Sequence, residues 1–163
     1  MQTRFLIITG MSGAGKTQVV RTLEDLKYFC IDNLPAALIP KFAELCRQTS
    51  ESNVALVVDV RGGQFFDKLL QVLDEITASV QKYELLFLDA HDATLVRRYK
   101  ETRRRHPLGD SDTLLDNLAQ ERQLLEPLLE KASYIINTSE LNATELKNRI
   151  KELFSTDNER ERM

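Results

Sequence analysis

The chain has 163 residues, 42% of them hydrophobic and 29% charged, which is the size and apolar content of one globular domain with its own core. A net charge of −3 and an isoelectric point near 5.5 argue against a surface built throughout for nucleic acid, while a local basic patch is compatible with both values. No apolar stretch approaches the roughly 20 residues of a membrane span, and the N-terminus lacks a signal peptide, so we expect a cytoplasmic protein without a membrane partner.

Apolar runs of strand length alternate with segments of helical periodicity. Five runs are short and apolar at consecutive positions, as buried parallel strands are. They are RFLIIT, YFCID, VALVVDV, YELLFLDA and SYIINT. Two series of apolar residues at helical spacing predict amphipathic helices: Phe65, Leu69, Leu73, Ile76 and Val80, then Leu114, Leu118, Leu125 and Leu129. The alternation predicts an α/β fold, with helices on both faces of a doubly wound, five-stranded parallel sheet.

A glycine-rich loop, GMSGAGKT at residues 10–17, joins the first predicted strand to a helix. The loop matches GxxxxGK[ST] in the strand-to-helix context that gives this motif its meaning. There the backbone amides form an anion cradle, the helix N-terminus adds about half a positive charge, and the lysine reaches the outer phosphates. A turn that only packs helix against strand is the alternative. The residues expected to bind ATP or GTP are Gly10, Met11, Ser12, Gly13, Ala14, Gly15, Lys16 and Thr17, and the Thr17 hydroxyl would also bind Mg²⁺.

Two strands end in an aspartate that could complete the magnesium site, because open α/β sheets bind ligands at the carboxyl ends of their strands. We favour Asp59 over Asp89, since the following residues give a DxxG pattern whose backbone could contact a γ-phosphate. A simple strand-terminal turn is the alternative for this segment, and Asp89 could instead cap the next helix. The predicted contacts are Asp59, Val60, Arg61 and Gly62, with Asp59 also a metal ligand.

A basic run, RRYKETRRR at residues 97–105, carries six positive side chains in nine positions. At this place a mobile lid could fold over the nucleotide, and its last three arginines would neutralise phosphate oxygens. A solvated helix face is the alternative, and contact with RNA phosphates is another. The predicted catalytic residues are Lys16, Asp59, Arg103, Arg104 and Arg105.

Asp32 and the last helix also carry predictions. Asp32, in FCIDNLP, could hold or deprotonate an acceptor hydroxyl in a small-molecule kinase, or could simply form a turn. The last helix is predicted to begin at Asn142, with Glu145 completing a capping box. Residues 1–155 are predicted to form the nucleotide-binding domain. The charged, aperiodic residues 156–163 are predicted to be a tail or the start of a linker.

Several segments together carry a family resemblance. They are GMSGAGKT, LEDLKYFCIDNLP, VVDVRGG, LLFLDA, LVRRYKETRRRHPL and LLEPLLEKASYIINTSEL. The chain resembles the N-terminal domain of the bacterial nucleotide-binding protein family that includes the RNase adapter protein RapZ. The resemblance implies a P-loop NTPase fold like that of nucleotide kinases, with an ATP-type loop at Gly10 to Thr17 and a GTP-type element at Asp59 to Gly62. It also implies slow hydrolysis of ATP or GTP.

The same resemblance implies a second domain that binds a small regulatory RNA and presents it to a ribonuclease. The sequence stops at Met163, so we expect that this C-terminal, RNA-binding half is absent here. Three functions remain open: a regulatory nucleotide-binding domain, which we favour, a small-metabolite kinase, and an RNA-interaction module with a vestigial nucleotide site. No [NT]KxD segment selects guanine, so ATP and GTP both remain candidates, and a homo-oligomer is left open as well.

Overall fold

The structure of the chain is a computed structural model. The described residues are 4–32, 34–49, 53–58, 63–78, 83–102 and 114–155. Their strands are β1 (Phe5–Gly10), β2 (Phe29–Asp32), β3 (Val54–Val57), β4 (Glu84–Asp89) and β5 (Tyr134–Asn137). Their α-helices are α1 (Lys16–Asp25), α2 (Ile39–Thr49), α3 (Gly63–Ala78), α4 (Asp92–Thr102), α5 (Leu114–Glu130) and α6 (Ala143–Phe154), and a 3₁₀ turn at Ala36–Leu38 precedes α2. All five predicted strands are therefore present.

The strands form one parallel sheet in the order β2-β3-β1-β4-β5. The chain leaves the central β1 toward β2 on one side, and it leaves β4 toward β5 on the other. Because parallel crossovers are right-handed, this reversal places α1 on the face opposite to α2, α3 and α5. In agreement, α1 packs against α6, while α2 and α5 both contact α3. The predicted doubly wound α/β fold is confirmed, and its topological switch point lies where β1 and β4 end.

The core is built on β1, where Phe5, Leu6, Ile7 and Ile8 are at most 1% exposed. This strand is apolar at consecutive positions because both faces of the sheet are covered. The predicted helical series are confirmed at the buried residues Leu69, Leu73, Ile76, Leu118 and Leu125, with Leu129 partly buried. The side chains of Phe65, Val80 and Leu114 lie outside the described residues.

The last helix begins where the sequence predicts. The Glu145 amide donates to Asn142 Oδ1 at 2.8 Å, and the Asn142 amide donates to Glu145 Oε1 at 3.1 Å. This capping box satisfies two helix-end donors at once. The helix then buries Leu146, Ile150 and Phe154 on the face that meets the rest of the domain.

A cluster of side chains around Arg4, at the amino end of the sheet, connects α6 to the strands. The Arg4 guanidinium donates to both carboxylate oxygens of Glu84, at 2.6 and 3.1 Å, and to the Tyr134 hydroxyl at 3.2 Å. It also donates to the Leu153 carbonyl at 3.2 Å and lies 5.0 Å from the centre of the Phe154 ring. Burial disfavours the charged form of Glu84, but hydrogen bonds from Arg4 and Tyr134 outweigh it and hold the pKa of this carboxyl below its usual value.

None of the helices in the described part of the chain combines the length and the apolar character that crossing a bilayer requires. The predicted charged segment, residues 156–163, lies outside the described residues. The domain boundary placed after residue 155 therefore stays a prediction.

Candidate phosphate-binding site

The glycine-rich loop leaves β1 through a residue that must be glycine. Gly10 has φ of +144°, and a Cβ atom there would lie 2.1 Å from the Leu88 carbonyl oxygen on β4. The next amide, that of Met11, donates to the same carbonyl at 3.0 Å. At this position the close approach that excludes a side chain is therefore between two backbones of the sheet. This contact with Leu88 of β4 places the start of the loop at the switch point, where β1 and β4 end.

Lys16 turns back over the start of the loop. Its Nζ atom donates to the Gly10 carbonyl at 3.0 Å and to the Met11 carbonyl at 3.3 Å. The ammonium group thus lies at the end of the loop that is remote from α1 in sequence. A lysine in this position can exchange carbonyl oxygens for phosphate oxygens without crossing the site.

Two more loop carbonyls point outward to donors from distant elements. Arg98 of α4 donates to the Gly13 carbonyl at 3.0 Å, and it also binds the Thr138 hydroxyl at 2.9 Å and the Thr138 carbonyl at 2.8 Å. The buried Thr138 hydroxyl in turn donates to the Ala14 carbonyl at 2.7 Å. Burial lowers the pKa of Arg98, and neighbouring Arg97 lowers it further. These donors hold the outer side of the loop.

The amides of the same loop divide into two groups. The Ala14 amide donates to the Met11 carbonyl at 3.1 Å and is therefore satisfied within the loop. The amides of Gly13, Gly15 and Thr17 have no hydrogen-bond acceptor among the residues that the structure describes. Since the carbonyls of Gly10, Met11, Gly13 and Ala14 already accept from protein donors, these three amides are donors available to an anion.

The N-terminus of α1 reinforces this preference for an anion. Gly15 is its N-cap residue, in a left-handed conformation with φ of +113°, and no side chain caps the helix. The first turn carries no acidic residue that could neutralise the helix dipole. The exposed Thr17 lies in that turn, where its hydroxyl is available to a metal ion. A helix end left uncapped in this way is a ready receptor for a phosphate group.

One loop amide is held by a carboxylate that belongs to none of the predicted site residues. The Ser12 amide donates to Glu121 Oε1 at 2.9 Å, and the Ser12 hydroxyl donates to Glu121 Oε2 at 2.7 Å. Glu121 belongs to α5 and is only 1% exposed. It is 109 residues away in sequence, so no local spacing could have revealed the pairing. Arg98 was part of the predicted basic run, yet nothing in the sequence distinguished it within that run.

Asp89 is engaged by an arginine next to Glu121. Arg122 Nη1 lies 2.9 and 3.0 Å from the two carboxylate oxygens of Asp89, and Nη2 lies 2.7 Å from both Asp92 Oδ1 and the Ala90 carbonyl. Asp89 also accepts from the Ala90 amide at 2.7 Å. The alternative that Asp89 caps α4 is wrong, since α4 begins at Asp92 and its first intrahelical acceptor is the carbonyl of His91.

Other predicted site residues fall where the structure gives no description. They are Asp59, Val60, Arg61, Gly62, Arg103, Arg104 and Arg105. Val58, the last described residue before Asp59, donates its amide to the Ile8 carbonyl at 2.9 Å, so the chain enters this segment beside the end of β1. Asp32 is exposed at the carboxyl end of β2, an edge strand.

A parallel sheet with a central β1, a glycine loop and an uncapped helix N-terminus defines a P-loop kinase-type fold. Solved structures agree in fold. A shikimate kinase from Bacteroides thetaiotaomicron has a TM-score of 0.59 at 21% identity, covering 92% of this chain and 97% of that one. A tunicamycin resistance protein from Deinococcus radiodurans has a TM-score of 0.63 at 15% identity, covering 95% and 98%.

Residues 3–158 match the sequence profile of the RapZ-like N-terminal domain, and the chain belongs to this family. A nucleotide-binding protein of Clostridium botulinum (strain Hall) is 52% identical over 153 residues, which are 93% of this chain and 52% of the relative. A nucleotide-binding protein of Clostridium kluyveri is 48% identical over 160 residues, 97% of this chain and 55% of the relative. The chain thus spans about half the length of these curated relatives, and the predicted family is confirmed.

Proposed function

We propose that this domain binds ATP or GTP as the magnesium complex in loop 10–17 and hydrolyses it slowly. The observation that carries the proposal is the division of the loop. Its carbonyls at Gly10, Met11, Gly13 and Ala14 accept from protein donors, while the amides of Gly13, Gly15 and Thr17 have no acceptor among the described residues. The names of the relatives, which are nucleotide-binding proteins, support it. Preorganised amides at a helix end favour a polyphosphate over a monoanion because they offer several donors in series.

Within this proposal, each site residue has a defined task. Lys16 leaves the carbonyls of Gly10 and Met11 and binds the outer phosphates. The Thr17 hydroxyl and Asp59 would hold Mg²⁺, which prefers such oxygen ligands. The bound ion would neutralise charge on the phosphate oxygens. The arginines at 103, 104 and 105 would close over the same oxygens.

We infer a slow turnover from what a rapid one requires. Phosphoryl transfer to water is fast when a residue orients the water and an arginine neutralises the transition state, and lacking such assistance slows it by about 10³ to 10⁵. Arginines are proposed above for the phosphate oxygens, but none of the assigned tasks places a residue on the attacking water, and the slow rate follows from that. A domain that binds firmly and hydrolyses slowly suits regulation. By family resemblance, we propose a cytoplasmic adapter whose longer form binds a small regulatory RNA and a ribonuclease, and which could act as a homo-oligomer.

The binding proposal is tested by titration calorimetry with ATP, GTP and their diphosphates, with and without Mg²⁺. We expect Lys16→Ala to weaken binding of the magnesium triphosphate more than about tenfold, because a charge-assisted hydrogen bond contributes about 1.5–3 kcal/mol. Lys147→Ala is the matched control, since Lys147 is exposed on α6. Equal affinity of the parent and Lys16→Ala would contradict the proposal.

A small-metabolite kinase is the second candidate, and the exposed carboxylate of Asp32 favours it. It lies at the carboxyl end of a strand, where an acceptor hydroxyl could be held or deprotonated. A metabolite screen would support this candidate if phosphorylated product formed much faster than free phosphate. Unchanged turnover in Asp32→Asn would exclude the role given to this residue.

A further inference from the structure

Both carboxylate oxygens of Glu121 accept hydrogen bonds from one residue of the loop, Ser12. Oε1 accepts from the Ser12 amide at 2.9 Å and Oε2 accepts from the Ser12 hydroxyl at 2.7 Å. Because Glu121 is 1% exposed, water does not compete for these bonds. These two hydrogen bonds connect the loop to α5, a helix that lies far from the loop in the sequence.

The hydrogen bonds of the neighbouring peptide groups show which part of the loop the Glu121–Ser12 contact orients. The peptide between Met11 and Ser12 is fixed at both of its polar atoms. The Ser12 amide donates to Glu121, and the Met11 carbonyl accepts from Lys16 Nζ and from the Ala14 amide. The peptide between Gly13 and Ala14 is fixed through the Gly13 carbonyl, bound by Arg98, and through the Ala14 amide. Between these two lies the peptide that carries the Gly13 amide, a donor with no acceptor among the described residues. Its orientation is therefore set from both sides.

The position of Lys16 indicates which part of a ligand this amide would meet. Nζ lies at the Gly10 and Met11 carbonyls, beside Ser12, and the lysine of such a loop reaches the outer phosphates. The helix-end amides of Gly15 and Thr17 would serve the inner phosphates. We propose that Glu121 is a positioning residue that orients the Gly13 amide for the terminal phosphate of a nucleoside triphosphate. This inference rests on the nucleotide binding proposed above.

Two substitutions separate this positioning role from a general effect on folding. Glu121→Ala removes both hydrogen bonds and leaves the Ser12 amide without its partner. Glu121→Gln keeps them, since its amide oxygen can accept from the Ser12 amide and its NH₂ group can donate to the Ser12 hydroxyl. Ser12→Ala removes the hydroxyl bond alone, and Glu126→Ala changes an exposed carboxylate of the same helix as the control.

The experiment is calorimetry with the magnesium complexes of the triphosphate and the diphosphate, next to a urea unfolding curve of each variant. We expect Glu121→Ala to bind the triphosphate about tenfold more weakly and the diphosphate less than about threefold more weakly. Glu121→Gln should stay within about threefold of the parent for both ligands, and Ser12→Ala should lie in between. The ratio of the two affinities does not depend on the fraction of folded protein, so a purely structural role would leave it unchanged.

Distinct results would overturn the two proposals. If the parent binds the nucleotide and Glu121→Ala keeps the parent's ratio of affinities, the positioning role is wrong while the proposed function stands. The role is equally wrong if Glu121→Gln loses as much as Glu121→Ala. If the parent binds neither nucleotide, the proposed function fails, and this inference fails with it. Should Glu121→Ala not fold, an unchanged ratio in Ser12→Ala would overturn the inference.

Discussion

The cluster around Arg4 at the amino end of the central sheet and the cations that contact the glycine-rich loop at its carboxyl end use their charged side chains in opposite ways. At the amino end, Arg4 pairs with the carboxylate of Glu84 and the hydroxyl of Tyr134, so side chains satisfy one another. At the carboxyl end, Lys16 and Arg98 donate to backbone carbonyls of the loop. The first arrangement is complete as it stands. The second leaves amides without an acceptor in the described residues, and it is therefore prepared for a ligand.

The comparison teaches where this fold places stability and where it places binding. A closed cluster stabilises the folded chain, whereas oriented donors without partners contribute little to folding and much to binding. Substitutions at the amino end should therefore change the free energy of unfolding and spare nucleotide affinity. Substitutions in the loop at the carboxyl end should change nucleotide affinity and spare the free energy of unfolding. The exception is Gly10, where the loop backbone contacts Leu88 of the sheet.

That exception gives the largest expected effect. Gly10→Ala would place Cβ 2.1 Å from the Leu88 carbonyl oxygen, and β1 and β4 would have to separate. We expect the free energy of unfolding to fall by about 4 kcal/mol or more, measured by urea denaturation. Gly15→Ala is the comparison, since its Cβ would meet side chains and no backbone atom, those of Leu146 at 3.2 Å and Thr138 at 4.0 Å, and there the backbone strain should cost about 1–2 kcal/mol. A loss below 1 kcal/mol in Gly10→Ala would contradict this expectation.

A smaller effect on stability is expected at the amino end. Glu84→Gln removes the charge that pairs with the half-buried Arg4, which should lower the free energy of unfolding at pH 7 by about 1–2 kcal/mol after allowance for solvent screening. Glu44→Gln, on an exposed carboxylate of α2, is the control. Nucleotide affinity should not change. A matched loss of affinity would show that the two ends are not independent.

The difference in the free energy of unfolding between the parent and Glu84→Gln should depend on pH with a definite sign. The pKa of Glu84 is lower in the folded protein than in the unfolded chain, so its contribution is complete above the ordinary glutamate pKa and is lost as the pH falls through the folded value. The difference between parent and Glu84→Gln should thus be full at pH 7 and shrink below about pH 4. Unfolding curves at a series of pH values test this, and a difference that grows on acidification would contradict it.

The smallest expected effect concerns Arg98. Arg98→Ala frees the Gly13 carbonyl and should weaken binding of the magnesium triphosphate about three- to tenfold, as measured by calorimetry. The matched control is Arg97→Ala, because Arg97 is the adjacent, exposed arginine of the same helix. Equal affinities of these two variants would mean that charge alone matters and that the contact with the loop does not.

Much of the fold could be predicted because its signals are local. Consecutive apolar residues mark the strands, three- and four-residue spacing marks α3 and α5, and the capping box of Asn142 and Glu145 marks the start of α6. The glycine loop was recognisable for the same reason, since all its motif positions lie within eight residues. The family followed from the combination of such segments.

The rest of the site depends on contacts between distant segments. Glu121 meets Ser12 across 109 residues, and Arg98 meets Gly13 across 85, so neither pairing leaves a periodic signal in the sequence. The cap alternative for Asp89 failed because α4 begins only at Asp92, and the Asp89 carboxylate is bound by Arg122 of α5 instead. The backbone that approaches Gly10, that of Leu88, likewise follows only from the pairing of β1 with β4 and not from the glycine motif itself.

The division of the loop amides is tested most directly by nuclear magnetic resonance of the labelled domain, titrated with a magnesium nucleoside triphosphate. At saturation, the amide signals of Gly13, Gly15 and Thr17 should move strongly, because they gain an acceptor. Those of Ser12 and Ala14 should move far less, because protein atoms already hold them. Unchanged signals of Gly13, Gly15 and Thr17 at saturation, or equal shifts along the whole loop, would contradict the claim that the phosphates bind these amides.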